Sequence, residues 1–231
     1  MGSLDLRFLI YHDIQHSFCW AQWLGGDVRA WIYDKIFKNL SSGWYETVID
    51  YLPANSHVLD VGVGTGTSLL SQLPKIREKN IQWMGIDINT SYLKACQEKI
   101  DEMGAQTNVS VREQSIYDFE AEEKLDAVYF SASFMLLPDQ QEALLTAMKS
   151  LKEGGVICFT QTFEVKPAPV MEKIKPLLKR ITTVEFGVVT YLDAFVHLLS
   201  SVGLEVSHNQ VMKKQGPREM RFIMAQCSPA V

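Results

Sequence analysis

The sequence lacks the features that define several large classes of protein. Only four of its 231 residues are cysteines, they lie far apart and no two form a C-x-x-C pair. This argues against a disulfide scaffold and against a structural zinc site. No apolar run reaches the roughly 18 residues that a membrane-spanning helix needs. The first residues show no basic segment followed by a long apolar one, so we expect no signal peptide and a reduced, cytoplasmic environment.

Positive charge is also in short supply. Lysine and arginine total 22 against 27 acidic residues, which gives a formal net charge of -5. A domain whose main partner is a phosphate backbone usually has a basic excess, so this balance argues against a nucleic-acid partner. The hydrophobic fraction of 47% is ample for a buried core. We therefore expect one domain over residues 1–231.

The pattern of apolar residues predicts a doubly wound α/β fold. Short apolar strands are predicted at 57–61, 81–86, 109–112, 126–131 and 156–163, with helices at 42–52, 67–73, 90–103, 138–152 and 191–202. Such alternation is typical of a mostly parallel sheet with both faces covered. Two further strands, at 204–212 and 220–227, flank a Gly-Pro turn and make the last strand antiparallel. We expect a seven-stranded Rossmann-like core over 42–231, a helical cap over 1–41 and a substrate-side insertion over 164–190.

A glycine loop follows the first strand, with the sequence Asp60-Val61-Gly62-Val63-Gly64-Thr65-Gly66. It lacks the Lys-Ser or Lys-Thr of a phosphate-binding P-loop and the third glycine of a dinucleotide fingerprint. An acid two residues before the first glycine suits a ligand that carries an ammonium group. We expect Asp60 to meet that ammonium directly or through water, and the N–H groups of the loop at Gly62, Val63 and Gly64 to meet a carboxylate.

Polar residues also follow the next two strands. Asp87 ends the second strand, where a carboxylate can accept both hydroxyl groups of a ribose. Ile88 follows it. Gln114, Ser115 and Ile116 come after the third strand, where polar atoms could meet an adenine edge beside the isoleucine side chain. Any one of these features alone is an ordinary loop or cap, but their order along three strands is specific.

Taken together, these segments resemble the class I S-adenosylmethionine-dependent methyltransferases of the small-molecule type. The matching stretches are 58–67, Asp87, 114–116, 125–131 and 151–156. The resemblance implies S-adenosylmethionine as cofactor, with Ser131 at the end of the fourth strand and Tyr33 reaching the methionine carboxylate. Two positions depart from the family pattern. Ser115 stands where many relatives carry an acid, and Val63 replaces a common cysteine.

The resemblance further implies methyl transfer to a small-molecule nitrogen or oxygen by in-line displacement. The loop after the fourth strand, Ser131-Ala132-Ser133-Phe134-Met135, has no acidic metal ligand and no Asn/Asp-Pro-Pro-aromatic signature. We therefore expect no metal. Two alternatives stay open: a protein or RNA methyltransferase, and a catalytically silent S-adenosylmethionine-binding partner protein.

Candidates for the acceptor side come from the cap, the fourth loop and the fifth strand. Tyr11, His12 and Phe134 are predicted to contact the acceptor. His16 and Glu164 are the candidate bases, because histidine titrates near neutral pH and Glu164 ends the fifth strand. Each has a structural alternative, as a packed or solvated side chain. His12 and His16 lie four residues apart but lack the further ligands that a zinc site needs.

Overall fold

A seven-stranded sheet forms the centre of the structure, a computed structural model that describes residues 43–164 and 190–228. The strand order is β3-β2-β1-β4-β5-β7-β6. Strands β1 to β5 are parallel, and β7 is antiparallel to both β5 and β6. The predicted fold class is confirmed. The strands are β1 (His57–Val61), β2 (Gln82–Asp87), β3 (Val109–Glu113), β4 (Leu125–Ser131), β5 (Leu151–Glu164), β6 (Leu204–Gln215) and β7 (Arg218–Cys227).

Helices cover both faces of this sheet. They are α1 (43–51), α2 (Thr67–Leu70), α3 (Leu73–Glu78), α4 (Thr90–Glu102), α5 (Gln140–Ser150) and α6 (Leu192–Ser201). The buried faces of α1 to α4 form one apolar cluster with the sheet, and those of α5 and α6 form a second cluster on the opposite face. No helix in the described ranges has the length and apolar character needed to cross a membrane.

Two predicted boundaries were wrong. The helix expected over 67–73 divides in two, because Pro74 lies in the first turn of α3, where its missing N–H costs nothing. Strand β5 begins at Leu151, whereas 156 was expected. Leu151 pairs with Leu125 before a shift in register, so the two glycines at 154 and 155 lie within a bulged strand. The cap and nearly all of the predicted insertion lie outside the described residues.

The topology gathers the functional loops at one edge. Strand β1 lies between β2 and β4, so the strand order reverses beside it. The loops after β1, β2, β3 and β4 all leave the carboxyl edge of the sheet. Ligands of open α/β sheets bind at this reversal point.

Candidate cofactor and acceptor site

The loop after β1 has a backbone that only glycine fits well. Gly62, Gly64 and Gly66 have φ values of 79°, 59° and 65°, in the left-handed region. A β-carbon on Gly62 would lie 2.6 Å from Ser133 Cβ, and one on Gly66 would lie 2.3 Å from Cys96 Sγ. A β-carbon on Gly64 would have no atom within 4 Å. The loop is therefore packed at its two ends and open at its centre, where a ligand could approach the backbone.

The N–H groups of this loop are already bonded within the protein. Gly62 N and Val63 N donate to Ile86 O, at 2.8 and 3.2 Å. Gly64 N donates to Asp87 Oδ2 at 2.9 Å. The expectation that these three N–H groups bind a ligand carboxylate is not supported, because each has its acceptor inside the fold. Their effect is to fix the loop against β2.

Asp87 connects the first two loops of the site. Its Oδ2 accepts from Gly64 N, and its Oδ1 accepts from Asn89 N at 2.9 Å. Asn89 in turn caps α4, since its Oδ1 accepts from Ser91 N and Tyr92 N. A carboxylate oxygen has room for more than one donor. Asp87 is thus oriented by two backbone bonds and keeps acceptor capacity on both oxygens, the arrangement that a ribose diol needs.

A cavity of about 320 Å³ lies beside Asp87, lined by Ile88, Glu113, Gln114, Ser115 and Asp118. Gln114 Nε2 donates to Asp118 O at 2.9 Å, and Gln114 Oε1 is buried with no partner among the described residues. Ser115 Oγ caps the short turn Ile116–Asp118 by accepting from Tyr117 N. The carbonyl oxygen of Gln114 could accept from an amino group if the side chain turned it toward the cavity.

Ile88, and not Ile116, presents an apolar side chain to this cavity. Ile116 is buried in the cluster beneath α5 and its side chain does not line the cavity, so its predicted contact with adenine stays a prediction. Ile88 is 77% exposed and lines the cavity. An exposed isoleucine directly after the ribose acid was the signal for this role.

Asp60 lies at the end of β1, fully buried. Its Oδ2 accepts from Tyr45 Oη at 2.8 Å and from Trp83 Nε1 at 3.1 Å. Its Oδ1 has no partner in the described part of the chain. Burial raises the pKa of this carboxyl group to about 7, although the two hydrogen bonds oppose the rise. Asp60 Oδ1 is itself buried, so contact between Asp60 and a ligand, direct or through a water, would require the surrounding loop to move.

Tyr45 and Trp83 were missed as site residues. The helical spacing of Tyr45 indicated only core packing. Trp83 lies in β2, whose register with β1 pairs Asp60 with Gly85. Both rings reach Asp60 only because α1 packs on the sheet and β1 pairs with β2. No local sequence pattern predicts this contact.

The loop after β4 meets the glycine loop through Ser133. Ser133 Oγ donates to Val61 O, and Ala132 turns the chain with a φ of 54°. Ser131 ends β4, partly exposed at the edge. Phe134 is fully buried, packed against the rings of Phe130, Phe159 and Phe195. Contact between Phe134 and an acceptor would require this packing to open, so its predicted contact stays a prediction.

Glu164 ends β5 in an ion pair. Its Oε1 lies 2.6 Å from Arg218 Nε, and its side chain is largely buried. A carboxylate held by a guanidinium is a poor general base, so the structure favours the structural interpretation of Glu164.

The remaining candidates, Tyr11, His12, His16 and Tyr33, lie outside the described residues and stay predictions. Within residues 43–164 and 190–228 no three histidine, cysteine or acidic side chains are grouped as a metal site would require.

The strand order and the site together define a class of protein, the Rossmann-like enzymes that bind a nucleoside-containing ligand at the carboxyl edge of the sheet. Residues 52–182, more than half of the chain, match the sequence model of the family described as "Methyltransferase domain". The chain belongs to this family, and its predicted membership of the class I S-adenosylmethionine-dependent methyltransferases is confirmed.

Curated relatives include carboxy-S-adenosyl-L-methionine synthases. The chain is 25% identical to the Yersinia enterocolitica protein over 53% of its own length and 46% of the relative's. It is 26% identical to the Shewanella woodyi protein over 63% and 58%. The chain thus spans about half the length of these relatives.

Solved structures share the fold at low identity. The [4+2]-cyclase SpnF superposes with a TM-score of 0.68 at 15% identity, over 81% of both chains. Geranyl diphosphate C-methyltransferase from Streptomyces coelicolor gives a TM-score of 0.67 at 14% identity, over 82% of this chain and 78% of that one. A cyclase among these neighbours illustrates that one fold carries different reactions.

Proposed function

We propose that this protein binds S-adenosylmethionine along the ends of β1, β2 and β3 and transfers its methyl group to a nitrogen or oxygen of a small molecule. The observation that carries the proposal is the setting of Asp87. Two backbone N–H groups orient its carboxylate, and the cavity lined by Ile88 and Gln114 lies beside it. An acid that could bind a ribose, next to a cavity that could hold a base, is the arrangement that a nucleoside needs.

The residues fit the cofactor along its length. Asp87 would accept the two ribose hydroxyl groups, Ile88 would pack on the adenine, and the unpartnered Gln114 Oε1 would accept from the adenine amino group. The open space over Gly64 leaves room for the methionine part. The free Asp60 Oδ1 would face the ammonium through a water.

When bound, S-adenosylmethionine supplies a methyl group activated by its sulfonium, which a nucleophile takes by in-line displacement. The work left to the chain is orientation and exclusion of water, and orientation alone contributes up to about 7–11 kcal/mol in ideal cases. The hydrogen bond from Ser133 to Val61 joins the loop after β4 to the cofactor loop. This contact would fix the position of the loop that lines the acceptor side relative to the bound cofactor.

Several observations favour a small acceptor. The net charge of -5 gives no attraction to a nucleic acid. The solved relative from Streptomyces coelicolor acts on geranyl diphosphate, as its name states, and was solved with Mg²⁺. In this chain the loop after β4, Ser131-Ala132-Ser133-Phe134-Met135, carries no acidic side chain, and we therefore favour an acceptor that needs no metal.

Thermal unfolding with S-adenosylhomocysteine tests the cofactor. At one hundred times its Kd a ligand adds about 2.7 kcal/mol, which is a rise in Tm of roughly 5–10 °C for a chain of this size. NAD and ATP should give no rise. Labelled S-adenosylmethionine offered to small amines, phenols, RNA and protein then tests the acceptor class. No rise in Tm at saturating S-adenosylhomocysteine would refute the proposal, and label found only in RNA or protein would refute its small-molecule part.

A further inference from the structure

Gln161 lies in β5, just past the point where its neighbour β4 ends. Thr160 pairs with Ser131, the last residue of β4, so Gln161 is the first residue of β5 beyond that strand. It therefore lies at the carboxyl edge of the sheet, next to the turn at Ala132. Gln161 played no part in the interpretation of the sequence.

The side chain of Gln161 is on the apolar face of the sheet that α5 and α6 cover. The β5–β7 register runs without a break from Val156 to Glu164, so side chains alternate strictly and Gln161 shares a face with Phe159 and Phe163. Both of these rings are fully buried and contact the ring of Phe195. Gln161 is a carboxamide in a row of aromatic rings.

This carboxamide has no hydrogen bond. Gln161 is 1% exposed, and neither its Nε2 nor its Oε1 has a partner among the described residues. Its cross-strand neighbour Arg221 is already engaged, since Nε lies 2.9 Å from Glu219 Oε2 and Nη1 lies 2.7 Å from Asn209 Oδ1. Glu219 pairs with both Arg221 and Lys214, so the charged groups on this part of β7 are already partnered with one another.

A buried amide without a partner destabilises the folded chain, because it has lost its hydrogen bonds to water and gained none. An apolar residue, as at 159 and 163, would suit the packing better. Natural proteins tolerate such an unsatisfied buried polar group mainly at functional sites. Gln140 shows the ordinary case, since its Nε2 donates to Phe134 O at 3.1 Å.

We propose that Gln161 is a specificity-determining residue that hydrogen-bonds a neutral polar group of the methyl acceptor, a hydroxyl or a carboxamide. An amide offers one donor and one acceptor side by side, which such groups match and which a charged group does not need. This inference rests on the proposed function, since it names the chemistry of the acceptor in that same reaction.

Stability gives the first test. In Gln161→Met the amide is replaced by an apolar side chain of similar length, and the Tm of the ligand-free chain should rise by about 2–4 °C. Gln140→Met, the matched control, removes a bonded amide and should lower the Tm. A fall in Tm for Gln161→Met would overturn the inference, because it would mean that the amide has a partner in the ligand-free protein.

Binding gives the second test. Phenol and benzamide are titrated into the complex with S-adenosylhomocysteine by ligand-observed NMR, with toluene as the probe that lacks a polar group. Wild type and Gln140→Met should bind the two polar probes more tightly than toluene. Gln161→Met should bind them about tenfold or more weakly and bind toluene unchanged.

The outcomes separate this inference from the proposed function. If S-adenosylhomocysteine binds but the polar probes fail to bind wild type, or bind Gln161→Met equally well, the inference is overturned and the proposed function stands. If S-adenosylhomocysteine does not bind wild type, the proposed function is overturned and the inference falls with it.

Discussion

The donor side and the acceptor side of this site are built in different ways. The donor side, residues 60–66, 87–89 and 114–118, is shaped by backbone turns, and its N–H groups bond to Asp87 and to Ile86 O. The acceptor side, residues 131–134, 161–164 and 218–221, is shaped by packed rings and ion pairs. A site set by turns has a fixed sequence signature. A site set by packing between distant segments has no such local signature.

Asp87→Ala should have the largest effect and test the donor side at its centre. It removes the two proposed bonds to the ribose and the two observed bonds from Gly64 N and Asn89 N. Hydrogen bonds to a charged group contribute about 1.5–3 kcal/mol each, so affinity for S-adenosylhomocysteine should fall about a hundredfold or more by calorimetry. Asp101→Ala makes the same change of charge on the exposed surface of α4 and should leave affinity unchanged. Equal affinities for the two variants would remove the ribose assignment.

Gly66→Ala tests whether the shape of the glycine loop on the donor side depends on backbone turns alone or also on packing against Cys96. The new β-carbon would lie 2.3 Å from Cys96 Sγ, at a φ of 65°. Left-handed strain costs about 1–2 kcal/mol and overpacking about 1–3 kcal/mol, so the free energy of unfolding in urea should fall by about 2–5 kcal/mol. Gly64→Ala, at a φ of 59° with nothing within 4 Å, suffers the strain alone and should lose about 1–2 kcal/mol.

The difference between the two glycine variants isolates the packing against Cys96. Adding Cys96→Ala to Gly66→Ala should then cost less than the sum of the single changes, because it removes the clashing sulfur. If the costs of the two single changes simply add, the loop must move away from Cys96 in Gly66→Ala. The shape of the loop would then depend on its own backbone and not on packing against Cys96.

The same contrast explains how far the sequence could be interpreted. Alternating strands and helices predicted the fold, and this in turn predicted that Asp60, Asp87 and Gln114, each at or just after the end of a strand, lie at the shared edge. The direction in which a side chain points could not be predicted in the same way. Ile116 and Phe134 follow strands too, but their side chains turn into the core. Gln161 and the pair of Tyr45 and Trp83 around Asp60 depend on strand register, which no local pattern displays.

Asp60 offers a pH test of the donor side. Burial raises its pKa from the ordinary 3.8 to about 7. A carboxyl group with a raised pKa contributes stability that is complete below pH 3.8 and is lost as the pH rises through 7. The free energy of unfolding of the ligand-free chain, compared with Asp60→Asn, should therefore decline between pH 5 and pH 8.

The affinity for the cofactor should change with pH in the opposite direction to the stability. If the carboxylate of Asp60 faces the ammonium, binding of S-adenosylhomocysteine should tighten by up to about tenfold per pH unit below 7 and level off above it. Asp60→Asn should bind more weakly, with this slope absent. An affinity for wild type that stays flat from pH 5.5 to pH 8 would rule out an ionic role for Asp60.

Glu164→Gln should have the smallest effect on the reaction, because the structure indicates that this charge stabilises the fold. Its pair with Arg218 is largely buried, so the change should lower stability by about 1.5–3 kcal/mol, and Arg218→Met should do the same. The double variant should cost little more than either single one, as expected of partners in one pair. With an acceptor identified by the labelled donor, kcat and the pH profile of kcat should stay within about threefold of wild type. A hundredfold loss of kcat with an altered basic or acidic limb would instead make Glu164 the general base. The acceptor side would then contain a general base, Glu164, in addition to its packed aromatic rings. Only the aromatic face around Gln161 would still differ in kind from the donor side.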